Sequence, residues 1–194
     1  MIQPQLKELL LQSLTHERGG VLVYRTALEC ALNDELRQEW HEYLNQTQRH
    51  VEVLTGVCER LGLDASEVTP GCRIVHDNGK ALVLAMKAAL ANGDEAAAEL
   101  VACDCVVLAE VKDHANWDLI GACAKEMPGD IAGVLQKAYD EVEDQEDEHL
   151  YHTKGWCREL WRQSLGLAAE LPPPEETAHV KSAVEAAQVK ARAH

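Results

Sequence analysis

Apolar residues recur every three or four positions along most of the chain, the period of helices that bury one face. A first long helix is predicted over 5–32, where Asn33-Asp34 breaks it and caps the next. The second covers 35–63 and ends near Gly62. Thr69-Pro70-Gly71 reads as a turn in the loop that follows. A shorter helix is expected over 79–92, closed by Gly93-Asp94, and a third long helix over 95–127. Pro128-Gly129-Asp130 then makes a compact turn into a fourth over 131–165. Pro172-Pro173-Pro174 ends the regular pattern.

The first and last pairs of long helices are joined by short links, which make each pair an antiparallel hairpin, whereas the middle connection is long enough to cross over. The expectation is an all-α protein, an antiparallel four-helix bundle over 1–166 with a short extra helix in its crossover. A Pro-rich linker with a tail or surface helix follows over 167–194. No internal repeat stands out by eye, although the two hairpins have similar length.

Polar residues interrupt each apolar stripe near its midpoint. At 100° per residue, Leu10, Leu14, Glu17, Val21, Tyr24 and Leu28 share a face, as do Trp40, Tyr43, Thr47, His50 and Leu54. On the third long helix Glu110, Asp113, His114 and Trp117 align, and on the fourth Val142, Glu146, His149 and Trp156. Antiparallel packing brings these interruptions to one height. A bare buried carboxylate costs several kcal/mol or takes a proton, so such a layer needs a common compensation. A metal ion supplies it, and carboxylate with imidazole suits iron, manganese or zinc.

Composition narrows the reading. Thirty-three acidic side chains against 18 basic ones, a net charge of −15, exclude the clustered basic face that nucleic acid needs. No stretch is apolar enough for a membrane span, and the first residues do not resemble a signal peptide, so a cytoplasmic protein is expected. Seven scattered cysteines point to buried free thiols rather than disulfides. The chain has no phenylalanine, which leaves Trp117 and Trp156 to fill an Ala/Leu/Val core. Gly19-Gly20 in mid-helix is expected to mark a close helix approach, with room for a small molecule beside Glu17 as the alternative.

Glu17 followed by Tyr24, His50, and the intact Glu146-x-x-His149 resemble the ferritin-like superfamily, particularly rubrerythrin and the small bacterial stress-associated ferritin-like proteins. The resemblance spans about residues 5–165. It implies a carboxylate centre of iron (two ions) or manganese, with zinc also compatible, acting on O2 or peroxide or handling metal under oxidative stress. It also implies a homo-oligomer, a dimer being favoured. The implied ligands are Glu17, His50, Glu146 and His149 with one or more of Glu110, Asp113 and His114, and Tyr24 and Thr47 stand behind them.

The sequence departs from the family pattern where Thr47 replaces the second helix's glutamate and Asn116 a second acid on the third. A one-ion, two-ion or vestigial site all stay open, the last belonging to a non-catalytic helical scaffold or protein-binding module. No four-cysteine rubredoxin-like module is present in the sequence.

Overall fold

The computed structural model describes residues 2–170. These residues form five helices and no strand: α1 (Pro4–Cys30), α2 (Asp34–Arg60), α3 (Pro70–Ala91), α4 (Glu95–Glu126) and α5 (Asp130–Ser164). Of the linker and tail expected over 167–194, residues 171–194 lie outside the described residues.

Local chemistry sets the helix starts. The Asn33 side chain accepts from the backbone N–H groups of Glu35 and Leu36, and Asp34 and Glu35 favour the positive end of α2. Asp94 caps α4 by accepting from the Ala97 N–H. The third helix begins at Pro70, not at 79 as its apolar pattern suggests. Thr69 is an N-cap accepting from the Cys72 N–H, and proline at the first helical position gives up only an N–H that would have no helical partner. The turn reading of Thr69-Pro70-Gly71 is corrected accordingly: it is a helix start.

Packing closes a ring in which α1 meets α2 and α4, and α5 meets α2 and α4; α3 lies against α1 and α4. Glu99 of α4 fastens the α1–α2 turn by accepting from the backbone N–H groups of Leu32 and Asn33, each at 2.7 Å. Two apolar clusters fill the interior. One gathers Val23, Tyr24, Leu36, Trp40, Met86 and Val106; the other gathers Leu10, Leu14, Leu54, Trp117, Ile120 and Val142. Burying each of these large side chains contributes about 1.5–3 kcal/mol. The polar interruptions fall between the two clusters along every helix of the ring. All seven cysteines are free, five of them buried. No helix among the described residues is long and apolar enough to cross a membrane.

Candidate metal centre

Glu17 of α1, His50 of α2 and Glu146 of α5 place one donor atom each within 4.8 Å of one another. Glu110 of α4 forms a second such group with Glu146 and His149. All five residues are buried, and Glu146 belongs to both groups. His50 Nδ1 lies 3.5 Å from Glu17 Oε1 and 3.0 Å from Glu146 Oε1. His149 Nδ1 lies 3.5 Å from Glu110 Oε2 and 3.7 Å from Glu146 Oε1. These are ion-pair separations without hydrogen-bond alignment. Both Nδ1 atoms, Glu17 Oε2, Glu110 Oε2, Asp113 Oδ1 and both Glu146 oxygens are buried with no hydrogen-bond partner.

Buried polar atoms are ordinarily hydrogen-bonded, and seven unpartnered ones on one layer need an explanation. All seven can donate an electron pair to a cation. Donors on opposite sides of an ion with bonds of about 2.0–2.2 Å stand about 4 Å apart, so either group could close on an ion with small side-chain shifts. The buried Glu/His groups could therefore hold metal.

The outward faces of both imidazoles support this use. His50 Nε2 is 2.8 Å from Gln145 Oε1, and His149 Nε2 is 2.6 Å from Gln46 Oε1. An amide oxygen accepts only, so Nε2 of each ring carries the proton and donates it. When Nδ1 gives up any proton it holds, the ring turns a lone pair inward, the tautomer a metal requires. Two carboxylates are oriented likewise. Tyr24 donates its hydroxyl to Glu110 Oε1 at 2.8 Å, and the Trp117 indole N–H donates to Glu17 Oε1 at 2.8 Å.

These contacts disclose a repeat that inspection of the sequence missed. Gln46-Thr47-x-x-His50 on α2 corresponds to Gln145-Glu146-x-x-His149 on α5, and each glutamine serves the other helix's histidine. Glu17 with Tyr24 corresponds to Glu110 with Trp117, and each aromatic serves the other helix's glutamate. The two halves differ where Thr47 answers Glu146 and Gly20 answers Asp113.

Burial and crowding of like charges shape the protonation. Asp113 is held well above the ordinary carboxyl value by burial and then by the negative charges of Glu17, Glu146 and Glu110. Burial also lifts Glu146 to about 7 against the opposing pull of His50. Burial pushes the His50 imidazole down, but the Glu146 and Glu17 carboxylates beside it raise it to about 10. Burial would raise Glu110, yet His149 and the Tyr24 hydroxyl outweigh it and hold this carboxyl below its usual value.

Of the residues expected from sequence, Glu17, His50, Glu110, Glu146 and His149 meet, with buried Asp113 beside them. His114 does not join them. Next to Asp113 it turns about 100° further round α4, where Nε2 meets Asp147 at 2.8 Å and Nδ1 meets Asp118 at 3.4 Å. Thr47 donates its hydroxyl to the Tyr43 carbonyl rather than to a ligand, and its methyl packs towards Gly20. Tyr24 donates its hydroxyl to Glu110, one of the candidate donors. Gln46, Gln145 and the donor role of Trp117 were missed. Gln145 sits in an acidic run that reads as solvated surface, and only the recurrence of Gln four residues before each histidine signals it.

The chain matches no family model, no curated protein and no solved structure.

Proposed function

We propose that this protein is a ferritin-like antiparallel four-helix bundle that holds two transition-metal ions, iron or manganese, and handles them or reacts them with O2 or peroxide. One ion is assigned to Glu17 and His50, the other to Glu110 and His149, and the Glu146 carboxylate lies between. The observation that carries the reading is the shared Glu146, whose two buried oxygens both lack hydrogen-bond partners while a histidine Nδ1 and a glutamate oxygen face it from either side. The bundle topology is supported by pairs such as Glu17–His50 and Tyr24–Tyr43, or Cys157–Asp104 and His114–Asp147, which run in opposite chain directions.

Ions of this kind supply redox electrons at the site. The chain contributes carboxylates that take up or release charge, imidazoles held in one tautomer by Gln46 and Gln145, and an Ala/Leu/Val/Trp surround that limits water. Thr47 in the position answering Glu146 favours a second reading, a helical scaffold with a vestigial site. Metal content after anaerobic Fe(II) or Mn(II) loading and desalting separates the two. Close to two ions per chain is expected, and less than about 0.1 of any transition metal leaves only the scaffold.

A further inference from the structure

One cluster of polar and aromatic groups beside the site belongs to neither donor group. The Tyr43 ring lies against the His149 imidazole, centroid to centroid 4.2 Å. Its hydroxyl donates to Glu39 Oε1 at 2.5 Å and lies 3.1 Å from His152 Nδ1, which is itself 2.8 Å from Glu39 Oε1. The half-buried Trp156 donates its indole N–H to the other oxygen of Glu39. A ring touching His149 is thus connected, through one carboxylate, to an indole that reaches the surface.

Packing alone does not call for this arrangement. The internal correspondence that carries His50 onto His149 carries Tyr43 onto Val142, Glu39 onto Ala138, and Val53 and Val57 onto His152 and Trp156. The other half of the bundle therefore fills the same places with valine and alanine, and Val142, Ala138 and Val57 are buried there. Only Tyr43 of this network is buried and its partners are half-buried, yet each gives up solvation that valine and alanine would not need, so its presence on one side only points to chemistry.

We infer that Tyr43, Glu39 and Trp156 form a one-electron relay between the metal centre and the protein surface. The inference rests on the two-ion reading of the site. Hydrogen peroxide reduced there would take up two electrons, and two protons from solvent, and leave as two waters. A divalent ion held by the site would supply one electron, becoming trivalent, and Tyr43 the other. The phenol proton moves along its existing hydrogen bond to Glu39, leaving a neutral phenoxyl radical. Burial pushes the Glu39 carboxyl up, but the bonds from His152, Tyr43 and Trp156 outweigh it and keep the group below its ordinary value, ionised and able to accept. A small one-electron donor in solution such as ascorbate then returns an electron through the Trp156 indole, and the proton goes back from Glu39 to Tyr43.

The test is freeze-quenched electron paramagnetic resonance of Fe(II)- or Mn(II)-loaded protein mixed with a single equivalent of hydrogen peroxide, with metal content measured on each sample. Wild type is expected to give an organic radical whose lines narrow when its tyrosines are ring-deuterated. The signal is lost in Tyr43→Phe, kept in Tyr139→Phe, and longer-lived in the presence of ascorbate in Trp156→Phe. Glu39→Gln, which leaves Tyr43 in place, is expected to lose it as well and guards against misfolding of the first variant. An undiminished signal in Tyr43→Phe overturns the relay, as does a silent wild type with its metal in place. Failure to retain metal removes the two-ion reading, and the relay with it.

Discussion

The Nδ1 atom of His50 stands 3.0 Å from Oε1 of Glu146, across the junction of α2 and α5, and neither atom has a hydrogen-bond partner. Glu146 meets His149 and Glu110 on its other side, so one carboxylate connects two donor groups. Its loss should therefore differ in kind from the loss of either neighbour. Glu146→Ala is expected to abolish retention of both ions, whereas Glu17→Ala and Glu110→Ala each lose one. Elemental analysis of desalted protein reads this directly. In wild type, free metal at about 100 times Kd should add about 2.7 kcal/mol of stability per bound ion. For a chain of this size that raises Tm by about 5–10 °C, and Glu146→Ala should show no such shift.

Gln46 and Gln145 touch the candidate ligands His149 and His50 without belonging to either donor group. Replacing either with leucine leaves a buried imidazole N–H unpaired and frees the ring to turn. Each variant is expected to bind metal about 10–100-fold more weakly, with helical content unchanged. Competition with a chelator of known affinity measures the change. Equal affinity in wild type and both variants would show that the tautomers are held some other way.

Protonation predicts opposite pH trends with and without metal. Asp113, held well above its ordinary value, and Glu146, at about 7, retain protons in the folded state that an unfolded chain releases above about pH 4. Their contribution to stability therefore falls as pH rises towards their folded values. His50 contributes fully below its unfolded value of about 6.5, and that contribution is lost as pH climbs through about 10. Glu39 and Glu110, held low, contribute above about pH 4.3 and lose that contribution in acid. Chelator-treated protein should be most stable near about pH 5 in urea denaturation. Metal affinity should rise with pH instead, because binding displaces the same protons. Asp113→Asn should flatten the decline of the metal-free protein between acid and neutral pH.

Gly19 and Gly20 respond differently to alanine. A Cβ at Gly19 meets nothing within 4 Å, whereas one at Gly20 lies 3.2 Å from the Thr47 methyl. Gly19→Ala is expected to stabilise the protein by about 0.5–1 kcal/mol through helix propensity. Gly20→Ala should recover little of that gain, because Thr47 has to yield. Urea midpoints of the two variants provide the comparison. Gly20 thus packs closely on Thr47 of α2, and Gly19 lies opposite Gly79 of α3, whose own Cβ would stand 3.8 Å from the Gly19 Cα.

The five helices and the polar layer were legible in the chain itself, because apolar period, caps and breakers act within a few residues. Asn33 and Asp94 stop and start helices through their own side chains. Glu17, His50, Glu110, Asp113, Glu146 and His149 all declared themselves as interruptions of an apolar stripe. The start of α3 was misplaced because Thr-Pro-Gly suits both a turn and a helix N-terminus, and the groups around Thr69 decide between them.

The choice among Glu110, Asp113 and His114 lay beyond the sequence. Neighbouring positions differ by about 100° of helix rotation, and only the docking of α4 against α1 and α5 turns Glu110 and Asp113 inward and His114 towards Asp147 and Asp118. The cross-helix bonds from Gln46 and Gln145, and the single Glu146 between two donor groups, are likewise products of that docking. Helical periodicity assigns a side chain to a face; hydrogen bonds and metal ligation depend on ångström-scale register between helices, which tertiary packing alone decides.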